Sequence, residues 1–312
     1  MGKNNQTFLF LLAILILIFP WAVGNNYFLM VLNVAALNFI VVIGLNLLMG
    51  YAGQISLGQG AFFGLGAYLT AIFTVTLGLP LWPAMGLSLL ITALVAYIIG
   101  VPTLKLEGHY LVMATLGFNV ITYILSIQLE PVTGGPSGFA GIPRLQIGGL
   151  ILDSDKKMYF LLWAVSLLVF ILSLNLIHSR VGRALAALSH NEIVAKCAGI
   201  PTENYKIKIF VFSAFLASLA GALYAHYFTF ISPGTFSFFY SIQVVTMVLV
   251  GGIGSLWGSL CGAILLTVLP ELLHPVKEYN VLIYGLILML VLVFFPRGLL
   301  PVLVDTLGKK KV

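Results

Sequence analysis

The chain contains nine apolar stretches that are long enough, or nearly so, to cross a lipid bilayer as helices. They occupy approximately residues 8–23, 27–49, 56–77, 81–100, 110–129, 159–177, 207–231, 240–268 and 279–295. Only 8% of the 312 residues are charged, which is too few to cover the surface of a soluble protein. This excludes soluble enzymes, nucleic-acid binders and disordered tails. At about 20 residues per crossing, we predict an all-α, polytopic helical bundle of about 9–10 membrane segments.

The charge balance and the cysteine content narrow the class further. The net charge of +6 might suggest a nucleic-acid partner, but polytopic membrane proteins gather Lys and Arg in their cytoplasmic loops, and we adopt that interpretation. Cys197 and Cys261 are too few for a disulfide framework. No metal-ligand spacing occurs, so we predict no metal site.

The first apolar stretch has two interpretations. Lys3 precedes the apolar run, and Ala22 and Gly24 form a weak small-residue cleavage site, as in a secretory signal. We favour an uncleaved first span, with a cleaved signal as the alternative. Residues 1–312 then form a single transmembrane domain.

The basic residues orient the spans, because cytoplasmic loops of membrane proteins are enriched in Lys and Arg. With the N-terminus in the cytoplasm, the loop at 130–158 is external, and its three basic residues are balanced by three acidic ones. The loop at 178–206 is then cytoplasmic and strongly basic, with Arg180, Arg183, Lys196 and Lys206.

The segment 240–268 must turn back if the C-terminal tail is to follow the same rule. A single crossing divides the 15 Lys and Arg residues almost evenly between the two sides. A re-entrant segment, or two short crossings, puts 11 of the 15 inside, including the tail. The break is supplied by Gly251-Gly252-Ile253-Gly254-Ser255-Leu256-Trp257-Gly258. We therefore predict a broken element here, an external loop at 270–278 and a cytoplasmic C-terminus.

A second uncharged, glycine-rich run, from Gly50 to Gly60, interrupts the apolar pattern in the first half. Glycine-interrupted segments in both halves of a membrane protein indicate a transport path. Small residues at every fourth position equally favour close helix packing, so both interpretations stay open. The candidates for the path are Gly53, Gln54, Ser56, Gln59, Gly60, Gly251, Gly254 and Gly258.

Isolated polar residues in the spans are weaker candidates for the path. Most amides within a membrane, such as Asn119 and Gln243, hydrogen-bond to a neighbouring helix. We interpret His226 as a packing or interfacial residue rather than a proton carrier.

Two absences indicate the energy source. No Asp, Glu, Lys or Arg lies at the centre of an apolar stretch, whereas proton- or sodium-coupled carriers usually need such groups. The sequence also lacks Gly-x-x-x-x-Gly-Lys-Ser/Thr, so it has no P-loop for ATP. We predict a non-enzymatic transport chain with no cofactor of its own, driven, if it pumps, by another polypeptide.

The cytoplasmic loop contains a predicted docking helix. Its Ala- and Leu-rich stretch favours a helix, and Gly199 followed by Pro201 is typical of a helix end. The apolar face of this helix is predicted from Leu185, Leu188, Ile193 and Val194. A partner protein could cover that face, or the helix could rest on the lipid headgroups.

Three segments carry a family resemblance over nearly the whole chain. The cytoplasmic loop contains Glu192-x-x-Ala195-x-x-x-Gly199-Ile200, which resembles the coupling-helix motif of ABC importer permeases. The run from Gly53 to Tyr68, which begins Gly53-Gln54-Ile55-Ser56, and the external run from Thr133 to Pro143, which begins Thr133-Gly134-Gly135-Pro136, resemble branched-chain amino-acid permeases of the LivM type. One departure is that Ser189, His190 and Asn191 stand where the family usually has more acidic residues.

The resemblance implies a permease subunit of an ABC importer in the bacterial inner membrane. Its implied partners are a homologous LivH-type permease, two ATPase subunits that bind ATP and Mg, and an extracytoplasmic binding protein that delivers Leu, Ile or Val. The residues implied in ATPase coupling are Arg183, Glu192, Ala195, Gly199, Ile200 and Pro201, and those implied in binding-protein docking are Gly134, Gly135, Ser137 and Gly138. The alternative functions are a urea or short-amide permease and a passive channel. For the outer loop, the alternative is a connecting loop without a partner.

Overall fold

The computed structural model describes residues 25–106 and 108–272, with some positions before and after them. Within these ranges the chain is mainly helical. The helices are α1 Asn26–Asn46, α2 Gln59–Val75, α3 Leu81–Thr103, α4 His109–Gln128, α5 Glu130–Thr133, α6 Asp155–His178, α7 Arg180–His190, α8 Glu192–Cys197, α9 Thr202–Phe228, α10 Phe238–Gly251 and α11 Leu256–Leu272. The predicted apolar stretches at 8–23 and 279–295 are described only in part, with residues 16–21 of the first helical, and most of the predicted loop at 270–278 lies outside the described residues.

Among the described residues, five helices are long and apolar enough to cross a membrane, which confirms a multi-pass helical bundle. They are Asn26–Tyr51, which includes a π-helical turn at Leu47–Tyr51, and α3, α4, α6 and α9. The apolar helices α2, α10 and α11 are shorter, with 17, 14 and 17 residues. At 1.5 Å per residue they measure about 21–26 Å, less than the roughly 30 Å hydrocarbon core.

The helix α1 lies at the centre of the bundle. Every residue from Ala35 to Met49 is buried, as expected for a helix that is apolar on all sides. It packs against α6, α9 and α11. Asn38 and Asn46 are buried on it, and each hydrogen-bonds to α11, with Asn38 Nδ2 donating to Thr267 Oγ1 at 3.0 Å.

The helices α9 and α2 approach each other through small residues. A Cβ atom on Gly221 would lie 1.9 Å from the carbonyl oxygen of Phe63, and one on Gly66 would lie 2.2 Å from that of Ser218. Both distances are far below van der Waals contact, so a larger residue would push the two helices apart. The glycines thus allow the close backbone packing that stabilises helix pairs in lipid.

Both glycine-broken segments that the sequence predicted are present. Residues 53–58 are irregular between the π-helical turn and α2, and residues 252–255 are irregular between α10 and α11. The helices α10 and α11 form an antiparallel hairpin, in which Gly258 faces Gly251 and Gly262 faces Met247. The chain therefore turns back at 252–255, as the distribution of Lys and Arg required.

The 130–158 loop contains short β pairs that the sequence did not predict. Strand β1, Phe139–Ala140, pairs antiparallel with β4, Phe230–Ile231, which follows α9. Strands β2, Gln146–Ile147, and β3, Leu150–Ile151, form a hairpin within the loop. The first pair fixes the loop to the end of α9.

Candidate functional site

The candidate coupling segment consists of two short helices rather than one. The boundary between α7 and α8 is Asn191, whose side-chain Oδ1 accepts a hydrogen bond from the backbone N of Val194 at 3.1 Å and caps α8. At the other end, Gly199 has φ +78°, and Ile200 N donates to Ala195 O at 3.1 Å. The helix end predicted at Gly199 is therefore confirmed.

Glu192 fixes α8 to the first turns of α9. Its Oε2 accepts a hydrogen bond from Nζ of Lys206 at 2.5 Å, and its Oε1 lies 3.2 Å from Nζ of Lys196. The Thr202 hydroxyl also donates to Oε1, at 3.4 Å. The Lys206 side chain is only 10% exposed and that of Glu192 24%. Burial alone would raise the pKa of Glu192, but the hydrogen bonds from Lys206 and Lys196 hold it below its usual value.

The exposed apolar surface of this segment is smaller than predicted. Leu185 and Leu188 are buried within the chain, so the prediction that they contribute to a partner-binding face is wrong. Ile193 and Val194 are 74% and 63% exposed and form what remains of that face. The leucines of the amphipathic α7 face inward because this helix packs against α6, α9 and the π-helical turn at Leu47–Tyr51.

The other predicted coupling residues surround this exposed pair. Ala195 is buried, Ile200 is half-buried, and Arg183, Gly199 and Pro201 are exposed. Arg183 Nη1 donates to the carbonyl oxygen of His178 at 3.4 Å, at the end of α6.

The coupling segment contacts the first broken segment. A Cβ on Gly53 would lie 3.5 Å from the Cα of Ser189, near the end of α7. A cleft of about 200 Å³ opens at this contact, and Gly53, Gln54, Ser189, Glu192 and Lys206 are among the residues that line it. Two of the predicted path residues, Gly53 and Gln54, therefore line the same cleft as Glu192.

The two broken segments are joined by a buried hydrogen-bond network centred on Asn46. Its Oδ1 accepts from Gly254 N at 2.8 Å, and its Nδ2 donates to Ser255 O at 2.9 Å and to Ser259 Oγ at 2.7 Å. Tyr51 OH also donates to the carbonyl oxygen of Gly254, at 2.7 Å. These bonds satisfy polar backbone groups of the irregular turn at 252–255 that the flanking helices do not reach, such as Gly254 N and Gly254 O. No role for Asn46 was predicted, although the three asparagines of the otherwise apolar stretch 27–49, Asn33, Asn38 and Asn46, were a usable signal.

A second buried polar cluster lies behind the first broken segment. Asn119 Nδ2 donates to Ser241 Oγ at 2.7 Å and to Leu57 O at 3.1 Å, and Gly60 N donates to Ser241 Oγ at 2.9 Å. Gln59 Nε2 donates to Ser213 Oγ at 2.9 Å. The side-chain oxygens of Gln54, Gln59 and Asn119 have no hydrogen-bond partner among the described residues.

Most of the predicted path residues are packed within the bundle. Gln54, Ser56, Gln59, Gly60, Gly251 and Gly258 are buried, Gly254 is half-buried and Gly53 is exposed. Gly251 and Gly258 form the contact between α10 and α11, where a Cβ on Gly251 would lie 2.1 Å from Gly258 O. The packing interpretation therefore applies to this glycine pair.

A larger cavity, of about 450 Å³, lies at the end of the bundle away from the coupling segment. It is partly open and lies between α1, α2, α9, α10, α11 and the turn before α10. Its lining residues are Val34, Leu37, Asn38, Phe63, Tyr224, Phe228, Gly234, Thr235, Ser237, Phe239, Tyr240, Gln243, Thr267, Pro270 and Glu271. None of these residues is among the predicted path residues. Sequence analysis missed Glu271 because it placed the end of the apolar segment before Pro270, whereas α11 continues to Leu272.

The predicted docking residues of the outer loop have clear backbone roles. Gly134, Gly135 and Gly138 have positive φ angles of 75°, 58° and 80°, a conformation that favours glycine. A Cβ on Gly138 would lie 2.5 Å from the carbonyl oxygen of Ile231, in the strand that pairs with β1. Ser137 is exposed, whereas Gly135 is buried.

His226 is a packing residue at the outer end of α9, as the sequence indicated. It is 1% exposed, and its Nδ1 donates to the carbonyl oxygen of Pro143 at 2.8 Å. This bond is a second attachment of the outer loop to α9.

Known proteins give independent evidence for the class of this chain. The family model described as "Branched-chain amino acid transport system / permease component" matches residues 27–294. The chain is 34% identical to the high-affinity branched-chain amino acid transport system permease protein LivM of Escherichia coli K12, over 96% of this chain and 76% of that protein. It is 29% identical to BraD of Pseudomonas aeruginosa, over 86% and 93%, and 25% identical to LivH of Salmonella typhimurium, over 84% and 90%. No solved structure gives a significant match.

The match covers the whole described bundle, including the coupling segment, both broken segments and the outer loop. The fold, the motifs and the similarity agree. This chain belongs to the family of branched-chain amino acid transport permeases, the membrane-spanning components of ABC importers.

Proposed function

We propose that the chain is the LivM-type permease of an ATP-driven importer for leucine, isoleucine and valine. The observation that carries the proposal is the exposed Ile193–Val194 pair on α8, a helix that Glu192 attaches to α9. An apolar pair on a short, firmly attached cytoplasmic helix is suited to a cleft in a partner ATPase. A passive channel has no need for such a helix.

The assembly would contain four further chains. The similarity to both LivM and LivH relatives supports a pair of homologous permeases. Two ATPase subunits would bind ATP and Mg, because this chain has no P-loop. An extracytoplasmic binding protein would dock on the outer loop, where Ser137 is exposed beside the glycine turns.

The proposed orientation places both termini in the cytoplasm of a bacterial cell, with the chain as one permease domain in the inner membrane. The hairpin of α10 and α11 supports it, because it returns the chain to the outer side before the last apolar stretch. Gly298 also lies against Gly252 at the inner turn of that hairpin.

The proposed mechanism transmits motion from the ATPases through α8. When the ATPases close on ATP, α8 would move with them, and the Glu192–Lys206 ion pair would pull the long helix α9. The helix α9 packs on α1, α2 and α3, so its tilt would shift the bundle between outward- and inward-facing states. The contact of Ser189 with Gly53 gives the first broken segment a direct part in this motion.

The test is uptake of labelled leucine into proteoliposomes that contain both permeases, the ATPases and external binding protein, with ATP inside. Uptake should require every component and should be inhibited by isoleucine and valine but not by urea. Inhibition by urea or short amides in place of branched-chain amino acids would favour the amide permease. Uptake without the ATPase chains would favour the passive channel.

A further inference from the structure

The 450 Å³ cavity at the outer end of the bundle combines a carboxylate, a free amide and apolar walls. Its volume is in the range of pockets that hold small molecules. The half-buried Val34 and Phe228 contribute apolar surface from α1 and α9, while Gln243 and Glu271 contribute polar groups from α10 and α11.

The charge of the cavity selects the kind of ligand. Glu271 is the one charged residue in the described lining, which contains no Lys, Arg or His. A half-buried carboxylate without a basic partner attracts a cationic group such as an ammonium. The lining is therefore poorly suited to an anion and well suited to a ligand that carries a primary amine.

Of the other polar side chains that line the cavity, the Asn38 amide is held by hydrogen bonds and the Gln243 amide is available to a ligand. Asn38 uses both ends of its amide, since Nδ2 donates to Thr267 Oγ1 at 3.0 Å and Oδ1 accepts from Tyr240 OH at 3.1 Å. Gln243, one helical turn from Tyr240, makes no hydrogen bond to the described residues and is free to donate to a ligand. Asn38 is thus held in one orientation, and the Gln243 amide remains to bind a ligand.

We propose that this cavity binds the transported amino acid within the permease, with the Glu271 carboxylate on its ammonium, the Gln243 amide on its carboxylate and Val34 and Phe228 against its branched side chain. The proposal rests on the proposed function and adds a substrate site to it. Because the carboxylate of the substrate meets a neutral amide rather than a cation, the site binds weakly and releases its ligand easily.

Glu271 also accepts a hydrogen bond from Tyr27 OH, at the start of α1. This bond offers a purely structural role, in which Glu271 joins α11 to α1. The two roles are separable, because Tyr27→Phe removes the hydrogen bond and leaves the carboxylate in place.

The experiment compares wild type, Glu271→Gln, Glu271→Asp and Tyr27→Phe in the complete transporter, with leucine uptake and binding-protein-stimulated ATP hydrolysis measured on the same vesicles. Glu271→Gln should lower uptake about tenfold or more, as expected for the loss of a charge-assisted hydrogen bond, while ATP hydrolysis continues. Glu271→Asp should retain part of the uptake, and Tyr27→Phe should stay within about twofold of wild type.

Each other outcome is decisive. Equal losses of uptake in Glu271→Gln and Tyr27→Phe would show that Glu271 has a structural role and would overturn the substrate site. Unchanged uptake in Glu271→Gln would also overturn the substrate site. If Glu271→Gln does not assemble, Gln243→Leu replaces it and should lower uptake several-fold; unchanged uptake there overturns the site. Failure of the wild type to transport leucine would instead refute the proposed function.

Discussion

The carboxylate of Glu192 accepts a hydrogen bond from Nζ of Lys206 at 2.5 Å and so joins the six-residue α8 to α9, the longest helix among the described residues. The coupling glutamate therefore turns toward its own chain, and the neighbouring Ile193 and Val194 face outward. We propose that in this arrangement the ion pair transmits force and the apolar pair contacts the ATPase.

Breaking the ion pair should uncouple ATP hydrolysis from transport. Glu192→Gln leaves the ammonium of Lys206 with a weaker partner, and we expect several-fold lower leucine uptake per ATP hydrolysed. The double variant Glu192→Lys/Lys206→Glu restores opposite charges and should recover much of the lost coupling. The control is Glu203→Gln, an exposed acid in the same region, and an equal loss in the control would contradict a specific role for Glu192.

The same pair predicts a pH dependence of stability. The hydrogen bonds from the two lysines outweigh burial and lower the pKa of Glu192. A carboxyl group whose pKa is lower in the folded state stabilises the fold at pH values above its unfolded-state pKa, about 4.3. This stabilisation is lost as the pH falls through the folded-state pKa. The thermal midpoint of wild type should exceed that of Glu192→Gln by a constant amount above about pH 5. The difference should shrink below about pH 4, and a difference independent of pH down to about pH 3 would refute the ion pair.

Polar substitution of the exposed apolar pair should weaken binding to the ATPase without unfolding the permease. Ile193→Ser/Val194→Ser removes two apolar side chains, and full burial of a Val or Ile side chain contributes about 1.5–3 kcal/mol. We expect at least a tenfold weaker association in co-purification from detergent. The matched control is Ile147→Ser/Ile151→Ser, an exposed apolar pair on the outer hairpin, which should leave ATPase association unchanged.

The α10–α11 hairpin should not tolerate a larger residue at its crossing. A Cβ on Gly251 would lie 2.1 Å from Gly258 O, so Gly251→Ala should destabilise the protein by about 1–3 kcal/mol. Gly86→Ala is the control, because no atom lies within 4 Å of its Cβ position and the substitution sits inside α3. Thermal unfolding should separate the two variants; an equal effect would contradict the close contact.

Sequence reasoning succeeded where one local signal determined the structure. Glycine runs without charge predicted both broken segments, and Gly199 predicted the end of α8, because these backbones need residues without a Cβ or with positive φ. The turn at 252–255 followed from counting Lys and Arg, which reports on topology and not on contacts.

Features that depend on contacts between several elements could not be predicted from the sequence. The inward packing of Leu185 and Leu188 depends on the break at Asn191, which a continuous Ala- and Leu-rich pattern conceals. The cavity is lined from five helices, and no local pattern brings Asn38, Gln243 and Glu271 together. The two-residue strands of the outer loop are too short to show an alternating pattern.

The central claim is that ATP hydrolysis by partner chains drives leucine through this permease. The most direct test measures the internal leucine concentration of proteoliposomes containing the complete transporter, with ATP or with a non-hydrolysable analogue trapped inside. We predict that internal leucine rises several-fold above the external concentration with ATP and does not rise with the analogue. Leucine that equilibrates to the external concentration at the same rate in both preparations would contradict the claim.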